Sequence, residues 1–143
     1  MKLIPIKTFI LLIMGSVLLS FTMNPFEKEA DFVGEYDIQM YPIEDGIKRE
    51  VVLSSNSEGY QKTYLDGCPQ SEIKFKWLLS ANKLTFYEAT TRARTSCDGE
   101  FPEWNKDNFD ALDPFNFKIM GEDILLLTSE YDTEYSETWR KIK

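Results

Sequence analysis

The stretch Ile73-Lys74-Phe75-Lys76-Trp77-Leu78-Leu79-Ser80-Ala81-Asn82-Lys83-Leu84-Thr85-Phe86 decides the fold. Ile73, Phe75, Trp77 and Leu79 alternate with Lys74 and Lys76, so an extended chain gathers an apolar face opposite the lysines. Ser80-Ala81-Asn82-Lys83 is a polar turn, and Leu84 and Phe86 restart the pattern, which runs on to Thr95. Together they predict a β-hairpin.

The same period continues on both sides. Upstream, Phe32, Gly34, Tyr36, Ile38 and Met40 alternate with Val33, Glu35, Asp37 and Gln39 as far as Pro42 and Glu44-Asp45-Gly46. Ile47, Arg49, Val51 and Leu53 form the next face, and Asn56-Ser57-Glu58-Gly59 leads into a strand over 60–65. Asp66-Gly67 is a strong short-range hairpin signal. Downstream, Phe115, Phe117 and Ile119 precede Gly121-Glu122-Asp123, followed by strands over 124–129 and 134–142.

Eight strands with short connections and no crossover helix predict an all-β, antiparallel up-and-down meander. Such a meander leaves two open edges unless it closes. Closure predicts that the first strand, 32–40, pairs with the last, 134–142. The expected interior face carries Tyr36, Ile38, Val51, Leu53, Phe75, Trp77, Phe86 and Phe117. The last strand is ambiguous: Tyr135 and Trp139 share one face, while Arg140 needs the other if it caps the barrel.

Residues 96–114 (SCDGEFPEWNKDNFDALDP) break the rhythm. The segment is too long for a hairpin turn and contains Phe101, Trp104, Phe109 and Leu112. It reads as a loop patching the outside of the sheet or as a lid over one end of a barrel.

Charge and composition narrow the chemistry. The 143-residue chain has 24 acidic and 16 basic residues, a net charge of −8, and no histidine. Without Lys2 and Lys7 the balance is 24 against 14, or −10. An acidic surface of this kind repels phosphate backbones and anionic lipid, so no nucleic-acid partner is expected. Lack of imidazole removes the commonest general base, the usual zinc ligand and the histidine-based triads, and no enzyme activity is expected. Asp98, Glu100, Glu103, Asp107, Asp110 and Asp113 crowd the long loop, but without EF-hand spacing they read as solvated carboxylates rather than a metal site. No cofactor is expected.

Lys2 and Lys7 precede an uncharged run of 13 residues, Phe9 to Phe21. That is shorter than the ~20 residues a membrane-crossing helix needs, and it matches a secretory signal. Ser20 stands three positions before a cut after Thr22, although Thr is a poor final residue, so a short uncleaved anchor is the alternative. The organisation expected is a signal over 1–23 and one domain over 24–143, placed in the periplasm, at the cell surface or secreted. No other contact with a membrane is expected. In an oxidising compartment Cys68 and Cys97 pair. They flank the 72–95 hairpin, whose turn places Cys68 opposite a residue near 95, within two positions of Cys97.

Residues 76–86, with an aromatic strand, a polar turn and Leu84-Thr85-Phe86, resemble the central hairpin of small bacterial lipocalin-like domains. Phe32-Val33-Gly34-Glu35-Tyr36 resembles the family's opening Gly-x-Trp strand, with Tyr36 in place of Trp. Tyr135-Ser136-Glu137-Thr138-Trp139-Arg140-Lys141 resembles its closing strand. The resemblance implies an eight-stranded barrel that holds a small hydrophobic molecule, with Arg140 covering Tyr36 as support for one barrel end. Pocket candidates are Tyr36, Tyr60, Tyr64, Phe75, Trp77, Phe86 and Phe117. Those same rings could instead fill the interior, which would make the protein an envelope interaction or inhibitor module. A small apolar ligand is the partner expected in the first case.

Overall fold

Alternation along the chain becomes register in the computed structural model, which describes residues 29–106 and 114–143. The signal over 1–23 lies outside the described residues, as do Asp107, Phe109, Asp110, Leu112 and Asp113. A short helix, α1 (Glu29–Phe32), precedes β1 (Gly34–Tyr41), β2 (Ile47–Leu53), β3 (Glu58–Leu65) and β4 (Cys68–Ser80). After these come β5 (Lys83–Ala93), β6 (Phe115–Gly121), β7 (Ile124–Ser129) and β8 (Ser136–Lys141). They form a closed antiparallel barrel in the order β1 to β8.

Closure occurs where the edge argument places it. β1 pairs with β8 from Tyr36↔Lys141 to Tyr41↔Ser136, with Ile38 opposite Trp139. Phe32 belongs to α1 rather than to the first strand. Its ring packs edge-on to Phe117 at 4.8 Å, and its carbonyl accepts a 2.8 Å hydrogen bond from the Tyr36 hydroxyl. This end of the barrel is thereby closed by the α1 residue Phe32, buried like the strand residues around it.

All eight residues expected inside face inward: Tyr36, Ile38, Val51, Leu53, Phe75, Trp77 and Phe117 are buried, and Phe86 packs against them half-buried. Gly59 lies opposite Phe75, and a Cβ there would sit 2.0 Å from the Phe75 ring. Only glycine leaves room for that ring to cross the interior. On β5, the register moves from Lys74↔Thr90 to Lys76↔Tyr87, so Glu88 and Ala89 together oppose Phe75. Glu88 takes φ = 50° at this bulge, which lets Phe86 and Ala89 both face inward. Asp66 and Gly67, at φ 49° and 79°, make the tight turn between β3 and β4.

The long loop is rooted rather than free. Cys68 and Cys97 form a disulfide with Cα atoms 5.7 Å apart, inside the range such a bridge requires. Arg94 donates from Nε to the Pro69 carbonyl at 2.6 Å and from Nη1 to the Gly99 carbonyl at 3.0 Å. Asn105 then bridges to Thr91 at the edge of β5. Phe101 and Trp104 lie on the outer face of β4 and β5: Lys74 and Arg92 stack on Trp104 at 4.3 and 4.4 Å, and Arg92 and Arg94 on Phe101 at 4.9 and 4.7 Å. The described part of the loop is therefore an outside patch and not a lid.

Candidate functional site: the barrel interior

The inward faces divide into an apolar half and a polar half. The apolar half lies toward α1, where Trp77, Leu84, Leu127, Val51, Leu53, Trp139 and Tyr36 are almost fully buried, Trp77 at 0 % exposure. Ring contacts run through it from Tyr36 to Trp139 (5.6 Å), Trp139 to Phe86 (6.4 Å), and Phe86 to Phe75 (5.0 Å) and Phe115 (6.2 Å). Burial and the nearby Asp123 carboxylate push the Tyr36 hydroxyl up to about 12.

Toward the opposite end, formed by residues 42–46, the Asp66-Gly67 turn and residues 130–135, the lining changes. Arg49 faces inward between Ile38 and Thr63. Its Nη1 donates to the Tyr135 hydroxyl at 2.9 Å and to Glu137 at 3.4 Å. Tyr135 donates to Glu137 Oε1 at 2.5 Å, and Trp139 Nε1 donates to Oε2 at 2.6 Å. Glu137 thus accepts from three side chains, as an acidic group in an interior must. Burial first, then the Glu137 charge, holds the Tyr135 hydroxyl well above the usual phenol range. Gln61, opposite the buried Val51, adds an amide to the same wall.

The space around these groups is not sealed. Arg49, Thr63, Ser71, Phe86, Thr91 and Tyr135 all project inward yet stay half-buried, with 24 % of the Arg49 side chain exposed. Val51, Leu53 and Trp77, further toward α1, are closed off. The wall around Arg49 is thus more exposed to solvent than the packed interior around Trp77 and Leu127.

Five pocket candidates, Tyr36, Phe75, Trp77, Phe86 and Phe117, meet in the interior. Tyr60 and Tyr64 do not. Gly59 and Gln61 hold the inward positions of β3 opposite Phe75 and Val51, which puts the tyrosines on the outer face. There Tyr64 donates to Glu50 at 2.9 Å, and the Tyr60 ring lies under Lys62. Arg140 also points outward and is exposed. The cation over Tyr36 is its neighbour Lys141, 6.0 Å from the ring centre. Lys141 Nζ also reaches the Asp31 carbonyl at 3.4 Å, which ties β8 to α1.

Arg49, Gln61, Tyr135 and Glu137 were not among the sequence candidates. A signal for two of them existed: Arg49 shares the period of Val51 and Leu53, and Glu137 that of Tyr135 and Trp139. Charge on an apolar face, twice, in strands that are neighbours of β1, marks an interior ion pair.

Other features are secondary. A cleft of about 450 Å³ opens beside α1, bounded by Asp31, Phe32, Tyr36, Asp123 and Lys141. Among the described residues no group of three metal-ligating side chains gathers, and no helix is long and apolar enough to cross a membrane. The chain matches no protein-family model and no curated protein.

Proposed function

We propose that this is an exported, lipocalin-like carrier that takes a small, largely apolar molecule into the barrel from the Arg49 end. One observation carries the reading: Arg49, Thr63, Ser71 and Tyr135 face inward at that end yet are half-buried, although Trp77 and Leu127 beyond them are packed. An aromatic floor with a few polar groups on one wall is the usual character of a small-molecule site. The ligand is compact, because Trp77, Tyr36 and Leu127 already fill the far half. Binding rather than catalysis suits a chain without histidine. The disulfide is consistent with an oxidising compartment, and export by an N-terminal signal supplies one.

A second reading is favoured by the exposed Tyr41, Ile43 and Tyr131, at 66, 69 and 74 %. They would give an interaction module a contact surface beside a filled barrel. Native mass spectrometry of protein purified from its source separates the two. A carrier retains a co-purified molecule of a few hundred daltons or takes one up on exposure to apolar compounds. A bare mass under both conditions leaves the interaction module.

A further inference from the structure

Within the interior the donors and acceptors do not balance, and the imbalance points to the chemistry of the ligand. Glu137 has both oxygens engaged, by Tyr135, Arg49 and Trp139. Arg49 uses only Nη1. Its Nε is buried without a partner, and Nη2 makes no hydrogen bond among the described residues. Gln61 is only 7 % exposed, and its amide, like Nη2, makes no hydrogen bond among the described residues, although neither is fully enclosed as Nε is. Because Arg49 lies opposite Thr63 and Gln61 opposite Val51, the two side chains are diagonal neighbours on one wall, within reach of a single bound group. Unpaired buried polar groups are costly, and most native ones are satisfied by protein, water or ligand.

We infer that Arg49 and Gln61 form a polar subsite for an uncharged hydrogen-bond acceptor, a carbonyl oxygen, on an otherwise apolar ligand. This rests on the carrier reading and narrows it. The excluded alternative is a carboxylate. Arg49 is already neutralised by Glu137, so a second anion would bring an uncompensated charge into the interior beside the first. A neutral carbonyl instead accepts from Arg49 Nη2 and from the Gln61 amide and leaves the Arg49–Glu137 pair intact. A plain hydrocarbon would fill the same space but leave both donors unmet.

Three ligands of nearly one shape test this: 2-acetonaphthone, 2-naphthoate and 2-ethylnaphthalene, each competing with the uncharged fluorophore N-phenyl-1-naphthylamine on the full exported protein. The expected result is that the ketone competes roughly tenfold better than either analogue, as a hydrogen bond inside an apolar site would give. In Gln61→Met, of nearly equal volume, that advantage should shrink severalfold, because the amide donor to the ketone is gone. Gln61→Leu serves in its place if the thermal melt shows that Met perturbs the fold. Naphthoate matching the ketone, or a ketone advantage unchanged in both variants, overturns the subsite and leaves the carrier reading standing, since the fluorophore has bound. Failure of the wild-type protein to bind the fluorophore removes the carrier reading and this inference with it.

Discussion

Single positions set how much this interior can hold. Gly59 is the clearest, because the Phe75 ring occupies the volume its side chain would need. Gly59→Ala should destabilise by about 1–3 kcal/mol, the usual cost of overpacking, and Phe75→Leu in the same chain should recover part of the loss. Urea melts of the two variants decide it; a neutral Gly59→Ala would mean the ring is not fixed there. Glu72 is informative for a different reason. It is buried on the outer face under Arg92, whose Nε donates to it at 2.6 Å. Burial pushes its carboxyl up, but hydrogen bonds with Tyr60 and Arg92 outweigh burial and hold it below the usual carboxylate range. The folded form therefore binds its proton more weakly than the unfolded chain. Its contribution is complete above the ordinary carboxylate value and is lost as pH falls through the lower folded value. Glu72→Gln should cost roughly 1–3 kcal/mol at neutral pH, and the gap to the parent should close in acid. An equal deficit at both pH values would contradict this.

Among elements, the β5–β6 seam carries the least pairing. Among the described residues only Lys83↔Asn116 and Leu84↔Phe115 join these strands, whereas β1 and β8 share six pairs. The loop rooted by Cys68–Cys97 supports the remainder of β5 through Thr91↔Asn105. Replacing both cysteines with alanine should lower stability by about 3–4 kcal/mol in the chain-entropy view. Amide exchange should then quicken over β5 before it does over β1 and β8; protection lost evenly around the barrel would argue against a local role. The hairpin of β4 and β5 was legible because its lysines and rings alternate without exception from Ile73 to Trp77. β3 was not. Its inward residues are Gly59, Gln61 and Thr63, small or polar side chains that look less like a core face than the alternate positions with the rings of Tyr60 and Tyr64. The choice is made by the partner strand, where Phe75 needs the empty position. Arg140 was misplaced for a related reason: a one-residue step along β8 exchanges inside for outside, and Lys141 holds the inward place. Arg49 and Glu137 lie 88 residues apart, so the period could mark each as inward but could not show that they pair.

For the molecule as a whole, the barrel follows from the hydropathy period and from the cost of open edges, and its closure by β1 and β8 needed nothing else. The content of the barrel is a different matter. It depends on which inward positions hold rings, which hold polar groups, and how far each fills the space. The central claim is that a small molecule enters at the Arg49 end and rests on the aromatic floor. The most direct measurement is the solution NMR spectrum of the protein titrated with N-phenyl-1-naphthylamine. Saturable shifts should fall on Arg49, Gln61, Thr63, Phe86 and Thr91, with Tyr60, Tyr64 and the rim residues Tyr41 and Ile43 little affected. Shifts confined to Tyr41, Ile43 and Tyr131, or to the cleft beside Lys141, with the inward residues unchanged, would contradict it.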